Sequence, residues 1–201
     1  TSARDEYSGK EGVFLDANEN PFGSITTADH NRYPDPYQTA LKEEIANIKG
    51  CRSSQIFLGN GSDEAIDLLY RALCRPGKDN VLLLPPTYGM YAVSAAINEV
   101  EIRNIALTPS FQLQPDKILA AADAESKILF ICSPNNPSGN KVKRADIYFL
   151  LENFDGIVVV DEAYIDFSDE PSLIEDLGKH PNLLVMQTFS KAWGLASLRL
   201  G

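Results

Sequence analysis

The chain has 201 residues, 44% of them hydrophobic, and a formal net charge of −10 at pH 7. This apolar fraction allows a substantial buried core, whereas the acidic balance excludes nucleic acid and anionic membranes as main partners, because both require basic surface. The sequence contains no run of about 18 apolar residues, so it predicts no membrane-spanning helix. The cysteines are odd in number and widely spaced, at Cys51, Cys74 and Cys132. They indicate reduced thiols in a cytoplasmic protein without a metal site.

Residues 1–40 differ in composition from the rest of the chain. The segments LDANENPFG and NRYPDPYQ are rich in Asn, Pro, Gly and Tyr, which predicts an extended N-terminal arm ahead of a helix near 37–49. We therefore expect an arm over 1–40 and one large domain over 41–201.

From residue 55 onward, apolar β-rich segments alternate with helical ones. The six strand candidates are QIFLG, VLLLPP, VEIRNIAL, KILFICSPN, IVVVDEAY and LLVMQTFS, and the helical stretches between them run from DEAIDLLYRALC to PSLIEDLG. Several strands are continuously apolar, as expected when helices cover both faces of a parallel sheet. The predicted fold class is α/β, a three-layer, doubly wound, mostly parallel sheet.

Polar motifs follow four of these strands. They are GNGSDE after the first strand, SPNNPSG after the fourth, DEAY after the fifth and TFSK after the sixth. In doubly wound sheets, ligands bind beyond the carboxyl ends of the strands. The sequence therefore predicts one ligand site at this rim.

GNGSDE places Gly59 and Gly61 in a tight turn, with Ser62 as the expected N-cap of the following helix. Free amides at a helix start, together with the positive end of the helix dipole, form an anion cradle. The alternative is an ordinary capped turn in which Asp63 and Glu64 complement the dipole.

Two further motifs offer an aromatic ring and side-chain amides. Tyr88 in PPTYGMY is positioned to stack on a flat ligand, although a half-buried tyrosine is the alternative. In SPNNPSG, two prolines stiffen the turn and leave Asn135 and Asn136 as donors; the alternative is a simple turn.

The last two motifs supply a carboxylate and an amine. Asp161 directly follows four apolar strand residues, so its carboxylate needs a cation or a strong donor, in a ligand, a helix cap or a structural salt bridge. Lys191, if buried among strand ends, has a lowered pKa, and its neutral amine can attack a carbonyl to form an imine; the alternative is a surface lysine. Ser190 and Arg199 flank it and can bind a phosphate. Together these are the groups that pyridoxal phosphate requires.

The motifs GNGSDE, SPNNPSG, DEAYIDF and TFSKAWGLASLR, in this order, resemble those of the fold-type I pyridoxal-phosphate-dependent aminotransferases. Within that family, LDANENPFG, NRYPDP, PPTYGMY and DEAYIDF are similar to the members that act on histidinol phosphate. The resemblance extends over about residues 12–201. It implies an aminotransferase of histidine biosynthesis that interconverts L-histidinol phosphate and 2-oxoglutarate with imidazole acetol phosphate and L-glutamate.

The resemblance also implies roles for individual residues. Lys191 would hold the cofactor and shuttle a proton, Asp161 would pair with the ring nitrogen, and Tyr164 would bind the phenolic oxygen with Asn136. Tyr88 would stack on the ring. The phosphate would be bound by Ser62, Asp63, Ser190 and Arg199, and by Tyr33 from the partner subunit of a homodimer. Asn18 and Glu19 would lie near the amino acid and keto acid substrates.

Three alternative functions remain open, and the sequence differs from the family pattern in one respect. A threonine-phosphate decarboxylase or an aromatic or broad-specificity aminotransferase would use the same cofactor groups, and a pyridoxal-phosphate-binding regulatory domain is the non-enzyme alternative. Members of the family continue into a further strand of the large domain and a small C-terminal domain. We therefore expect the 201 residues to be an incomplete large domain, inactive as an isolated fragment, with QIFLG lacking its neighbouring strand.

Overall fold

The computed structural model describes residues 12–13, 15–28 and 30–201. Its centre is a sheet of five strands in the order β2-β1-β3-β4-β5, in which every neighbouring pair is parallel. The strands are β1 Asn80–Leu83, β2 Glu101–Asn104, β3 Ser126–Cys132, β4 Ile157–Asp161 and β5 Leu183–Met186. This confirms the predicted α/β class with a doubly wound, mostly parallel sheet.

Five α-helices accompany the described part of the sheet. They are α1 Thr39–Lys49, α2 Ser62–Leu73, α3 Met90–Ile97, α4 Pro115–Ala121 and α5 Arg144–Asn153. Local sequence explains two of their ends. Gly50 closes α1 in the left-handed conformation at φ 72°, where glycine carries no Cβ penalty, and Pro115 opens α4 at a position that needs no N–H donor.

The sheet separates two apolar clusters, one on each face. On one face, α2 and α3 pack against β1 and β3 through residues that include Ile66, Tyr70, Tyr91 and Phe130. On the other face, α4 and α5 cover side chains such as Leu129 and Val158. Because both faces are covered, β3 is continuously apolar from Ile128 to Cys132 and β4 from Ile157 to Val160, as the sequence pattern predicts.

Two predicted elements are wrong. QIFLG is not a strand of the sheet: Ile56 has extended dihedrals of φ −105° and ψ 127°, but this segment pairs with no strand in the described part of the chain. At its end, Gly59 exchanges two backbone hydrogen bonds with Gly201, but these do not extend into a β-ladder. PSLIEDLG forms only a 3₁₀ turn over Leu173–Asp176, because Gly178, two residues after the turn, has a φ of 94° that a helix cannot contain.

Other expectations concern the arm and the cysteines. Residues 1–11, Phe14 and Asp29 of the predicted arm lie outside the described residues. The described remainder of the arm contains no α-helix or strand before Thr39.

All three cysteines are free thiols. In the described residues, no helix is long and apolar enough to cross a membrane, and no cluster of candidate metal ligands occurs.

Replacing Phe130 by alanine is expected to lower the free energy of unfolding by about 3–5 kcal/mol. Phe130 is fully buried and its ring stacks on both Tyr70 and Tyr91, so its removal leaves a cavity in the centre of the core. Urea unfolding of the full-length gene product measures the change. Phe149→Ala is the control, because Phe149 is 41% exposed; equal losses in the two variants would contradict the core assignment.

Candidate active site

A cavity of about 170 Å³ lies beyond the carboxyl ends of the strands. It is lined by residues from all four predicted motifs and from PPTYGMY: Gly61, Ser62, Asp63, Tyr88, Cys132, Asn136, Asp161, Ala163, Tyr164, Thr188, Ser190, Lys191, Ala196 and Arg199. The structure therefore brings together the predicted groups that it describes on α2, on the loops after β3, β4 and β5, and ahead of α3. Asn18, Glu19 and Tyr33 do not line this cavity.

The carboxylate of Asp161 forms the base of the cavity. Asp161 is the last residue of β4, stands in register between Cys132 and Met186, and is 3% exposed. Desolvation raises its pKa, and the hydrogen bonds from Tyr91 and from the Ala163 amide oppose that shift. Its hydrogen bonds come from a tyrosine and a backbone amide rather than from a cation. The structure therefore excludes a structural salt bridge for Asp161 within the described residues.

Lys191 lies in the loop that follows β5. Its side chain is exposed, so the prediction of a buried amine is wrong. The physical reason is that the loop bends outward, with a left-handed turn at Gly194 and a backbone hydrogen bond from Gly194 to the Lys191 carbonyl. The Nζ atom lies 5.7 Å from the centroid of the Tyr164 ring. The amine is thus accessible from the cavity, and its reactivity does not rest on burial.

The rim opposite Lys191 is built on the first turn of α2. Gly61, not Ser62, is the N-cap residue, which corrects the sequence prediction; its φ of 80° favours glycine. Ser62 and Asp63 lie in the first turn, where backbone N–H groups have no partner within the helix. The guanidinium of Arg199 contacts this turn through a hydrogen bond from Nη2 to the Asn60 carbonyl at 3.4 Å. The Arg199 guanidinium and the N-terminus of α2 therefore lie side by side, and together they form a positively polarised site that can bind an anion.

The Tyr88 hydroxyl donates to Asp63 Oδ1 at 3.0 Å, and burial followed by this contact raises the pKa of Tyr88 to about 12. Tyr88 precedes α3 by two residues instead of starting it. Its ring meets Tyr91 edge to face at 5.6 Å between centroids. One edge of Tyr88 is thus fixed at the cavity wall by two contacts.

The SPNNPSG loop uses its two asparagines differently. Asn135 is buried, and its Nδ2 donates to the Pro86 carbonyl at 3.0 Å and to Ser138 Oγ at 2.6 Å, so the prediction that it remains available as a donor is wrong. Asn136 lines the cavity. Asn135 therefore holds the loop, and Asn136 is the asparagine that a ligand can reach.

The arm residues lie on a separate, exposed surface. Glu19 accepts hydrogen bonds from Arg32 Nη1 at 2.8 Å and from the Tyr33 amide at 2.7 Å. Asn18 adopts a left-handed φ of 53°, and the Tyr33 side chain is 71% exposed. Their expected contacts with substrate or with a partner subunit stay predictions.

Sequence reasoning missed the hydroxyl that contacts Asp161. Tyr91 donates to Asp161 Oδ2 at 2.5 Å from within the core. The available signal was the second tyrosine of PPTYGMY, three residues after Tyr88. Thr188 was also missed as a site residue: it is buried, lines the cavity and accepts a hydrogen bond from the Ser190 amide at 3.1 Å.

Comparisons with known proteins agree with this arrangement. The chain is 58% identical over 201 residues to a histidinol-phosphate aminotransferase from Cytophaga hutchinsonii; the match covers 100% of this chain and 58% of that relative. The chain thus spans little more than half the length of that curated relative.

Solved structures give the same fold. A histidinol-phosphate aminotransferase from Sinorhizobium meliloti in complex with pyridoxal-5'-phosphate superposes with a TM-score of 0.77 and 25% identity, over 92% of this chain and 53% of that one. An L-threonine-O-3-phosphate decarboxylase from Porphyromonas gingivalis gives a TM-score of 0.70 and 25% identity, over 85% and 52%. The profile described as aminotransferase class I and II matches residues 11–201. The chain therefore belongs to the aminotransferase class I and II family.

Proposed function

We propose that the protein is a pyridoxal-phosphate-dependent aminotransferase of histidine biosynthesis. It would interconvert L-histidinol phosphate and 2-oxoglutarate with imidazole acetol phosphate and L-glutamate. The observation that carries this proposal is the convergence on one cavity of an accessible amine at Lys191, a buried carboxylate at Asp161 and an anion cradle at α2. The 58% identity to a histidinol-phosphate aminotransferase supports the choice of substrate.

The residues present fit pyridoxal phosphate. The cradle leaves no room for a side chain at its centre, since a Cβ on Gly61 would lie 2.5 Å from Arg199 Nη2. A phosphate would be bound there by the amides of Ser62 and Asp63, by Arg199 and by the Ser190 hydroxyl. At the other end of the cavity, Asp161 supplies a carboxylate for a protonated ring nitrogen.

The remaining roles concern the ring and its phenolic oxygen. The Tyr164 hydroxyl and the Asn136 amide, which both line the cavity, would donate to the phenolic oxygen. Tyr88, fixed by Asp63, would cover one face of the ring. These groups supply a donor set that matches a phosphorylated hydroxypyridine.

When bound, pyridoxal phosphate supplies an electron sink for the charge left on the substrate α-carbon after proton loss. The chain's own groups do the rest. Lys191 Nζ would hold the cofactor and, once released, would move the proton to and from the α-carbon as a general base and acid. Asp161 would keep the ring nitrogen protonated, since its carboxylate is held in water-excluded surroundings where the electrostatic interaction is strong.

Assembly, organisation and location complete the proposal. The arm over 1–40 would extend from the cofactor-binding domain over 41–201, and Tyr33 would reach the phosphate of a second subunit in a homodimer. The 71% exposure of Tyr33 supports that role. The three free thiols support a cytoplasmic location.

A half-reaction assay tests the function. Purified full-length gene product, loaded with pyridoxal phosphate, is mixed with L-histidinol phosphate without a keto acid. We expect a stoichiometric change in cofactor absorbance that 2-oxoglutarate reverses. The similarity to a threonine-phosphate decarboxylase makes that activity the second candidate. Carbon dioxide release from L-threonine phosphate, with no response to histidinol phosphate, would replace the first proposal with the second.

Gly61→Ala is expected to weaken pyridoxal phosphate binding by at least about tenfold, which corresponds to about 1.4 kcal/mol. The added Cβ would displace the Arg199 guanidinium and strain a backbone at φ 80°. Equilibrium dialysis measures the dissociation constant. Gly77→Ala is the matched control, because Gly77 also has a positive φ, 66°, but has nothing within 4 Å of its Cβ position. Equal affinities in the two variants would contradict the cradle.

A further inference from the structure

A fully buried tyrosine contacts the carboxylate at the base of the cavity. Tyr91 is the second residue of α3, and its hydroxyl lies 2.5 Å from Asp161 Oδ2. Its ring stacks on Phe130 of β3, with 4.7 Å between centroids and an interplanar angle of 17°. The Tyr91 carbonyl accepts a hydrogen bond from the Tyr70 hydroxyl of α2 at 2.8 Å. The backbone of α3 and the stack on Phe130 therefore fix the position of the Tyr91 hydroxyl, whereas the Tyr70 hydrogen bond holds only the main chain of Tyr91.

Among the residues that the structure describes, each of the two Asp161 carboxylate oxygens has one hydrogen-bond donor. Tyr91 donates to Oδ2, and the Ala163 amide donates to Oδ1 at 3.0 Å. An ionised carboxylate has about four lone-pair positions, so both oxygens keep an acceptor position for a ligand. With these two donors in place, the carboxylate has a defined plane before any ligand arrives.

The charges around Asp161 do not favour its ionised form. Burial is the main cause that raises the pKa of Asp161, and the charges of Asp63 on α2 and of the adjacent Glu162 raise it further. Cys132 on β3 stays a neutral thiol, because burial raises its pKa to about 12. The hydrogen bond from Tyr91 is the largest effect that lowers the pKa of Asp161.

We propose that Tyr91 is a positioning residue whose hydroxyl, through its hydrogen bond to Oδ2, holds the Asp161 carboxylate oriented toward the ligand cavity. The inference rests on the proposed function, since the ligand group that Asp161 would meet is the ring nitrogen of pyridoxal phosphate. Tyr91 itself does not line the cavity and acts through Asp161. It is distinct from Tyr88, which reaches the cavity three residues earlier in the chain.

The test compares Tyr91→Phe with Tyr70→Phe in the full-length gene product. Tyr91→Phe keeps the stacked ring and removes only the hydroxyl. Tyr70→Phe is a matched control, because Tyr70 is also fully buried, also stacks on Phe130 and also donates one hydrogen bond, but to the backbone carbonyl of Tyr91 and not to the Asp161 carboxylate. A purely structural role of buried hydroxyls predicts similar behaviour in the two variants.

Two measurements distinguish a positioning role of Tyr91 from a purely structural one. In the cofactor-free protein, infrared spectroscopy follows the protonated carboxyl band of Asp161 with pH, assigned by its loss in Asp161→Asn. We expect the titration midpoint to rise in Tyr91→Phe and to stay at the wild-type value in Tyr70→Phe. Equilibrium dialysis should show at least about tenfold weaker binding of pyridoxal phosphate by Tyr91→Phe, the lower end of the effect of losing a hydrogen bond to a charged group.

The outcomes separate the two proposals. Wild-type protein that binds no pyridoxal phosphate would overturn the proposed function and this inference together. Wild-type protein that binds it, with a Tyr91→Phe variant equal to Tyr70→Phe in both midpoint and affinity, would overturn the inference alone.

Discussion

Replacement of Lys191 by alanine is expected to lower the rate of amino-group transfer by roughly a hundred- to ten-thousandfold, the range in which a positioned general acid and base acts. The variant loses both the amine that would hold the cofactor and the group that would move the proton. Its fold should be unaffected, because the Lys191 side chain is exposed. Stopped-flow absorbance of the half-reaction with L-histidinol phosphate measures the rate.

Borohydride reduction followed by peptide mass analysis tests the same residue without turnover. The wild-type protein should carry the reduced cofactor on the peptide that contains Lys191, and Lys191→Ala should carry none. Lys143→Ala is the control, since Lys143 is an exposed lysine at the start of α5 and outside the cavity. Cofactor mass on another lysine of the wild-type protein would reject the assignment.

Local sequence predicts most of the fold because its signals are local. The continuous apolar character of β3 and β4 requires cover on both faces, and α2 to α5 supply it. QIFLG has an equally apolar pattern and extended dihedrals at Ile56, but a strand also requires a hydrogen-bonded neighbour. Pairing is a tertiary property that the apolar pattern of one segment does not reveal. The lack of a neighbouring strand for QIFLG in the described residues agrees with the expectation from the family resemblance.

PSLIEDLG shows how a distant side chain overrides a local pattern. Glu162 is buried, and it accepts hydrogen bonds from the Leu173 amide at 2.8 Å and from the Ser172 hydroxyl at 2.5 Å. Ser172 in turn caps the short 3₁₀ turn by accepting from Ile174. The segment is therefore held in place by the DEAY motif, and Gly178 prevents a longer helix.

The candidate site was predictable where it depends on strand ends. The carboxyl ends of β3, β4 and β5 bring Asn136, Asp161 and Lys191 to one cavity, as expected for a parallel sheet. The exposure of Lys191 was not predictable, because a loop after a strand can turn toward solvent or toward the core. Tyr91 was missed because its partner lies 70 residues away in the chain, and a buried tyrosine in an apolar helix indicates a core residue.

Asp161→Asn is expected to lower the transfer rate by roughly a hundred- to thousandfold, as observed when one preorganised electrostatic partner is removed. The amide can keep the local hydrogen bonds, with its oxygen accepting from Ala163 and its amino group donating to Tyr91. The negative charge opposite the ring nitrogen is lost, so the ring is a weaker electron sink. The half-reaction rate measures the effect, and Asp169→Asn is the control because Asp169 is exposed and lies outside this cavity.

The same substitution has an opposite effect on the stability of the cofactor-free protein. Burial raises the pKa of Asp161 above its ordinary 3.8, so the folded protein binds a proton more tightly there than the unfolded chain does. The contribution of Asp161 to stability is therefore present below pH of about 3.8 and is lost as pH rises through the higher pKa of the folded state. The side-chain amide of Asp161→Asn does not titrate, so this substitution removes the pH-dependent loss of stability. The difference in unfolding free energy between Asp161→Asn and wild type should therefore grow as pH rises from about 3.8 through the pKa of Asp161 in the folded protein. Urea unfolding at several pH values measures it; a gain independent of pH would show that Asp161 is not desolvated, and would remove the basis for its strong interaction with a ring nitrogen.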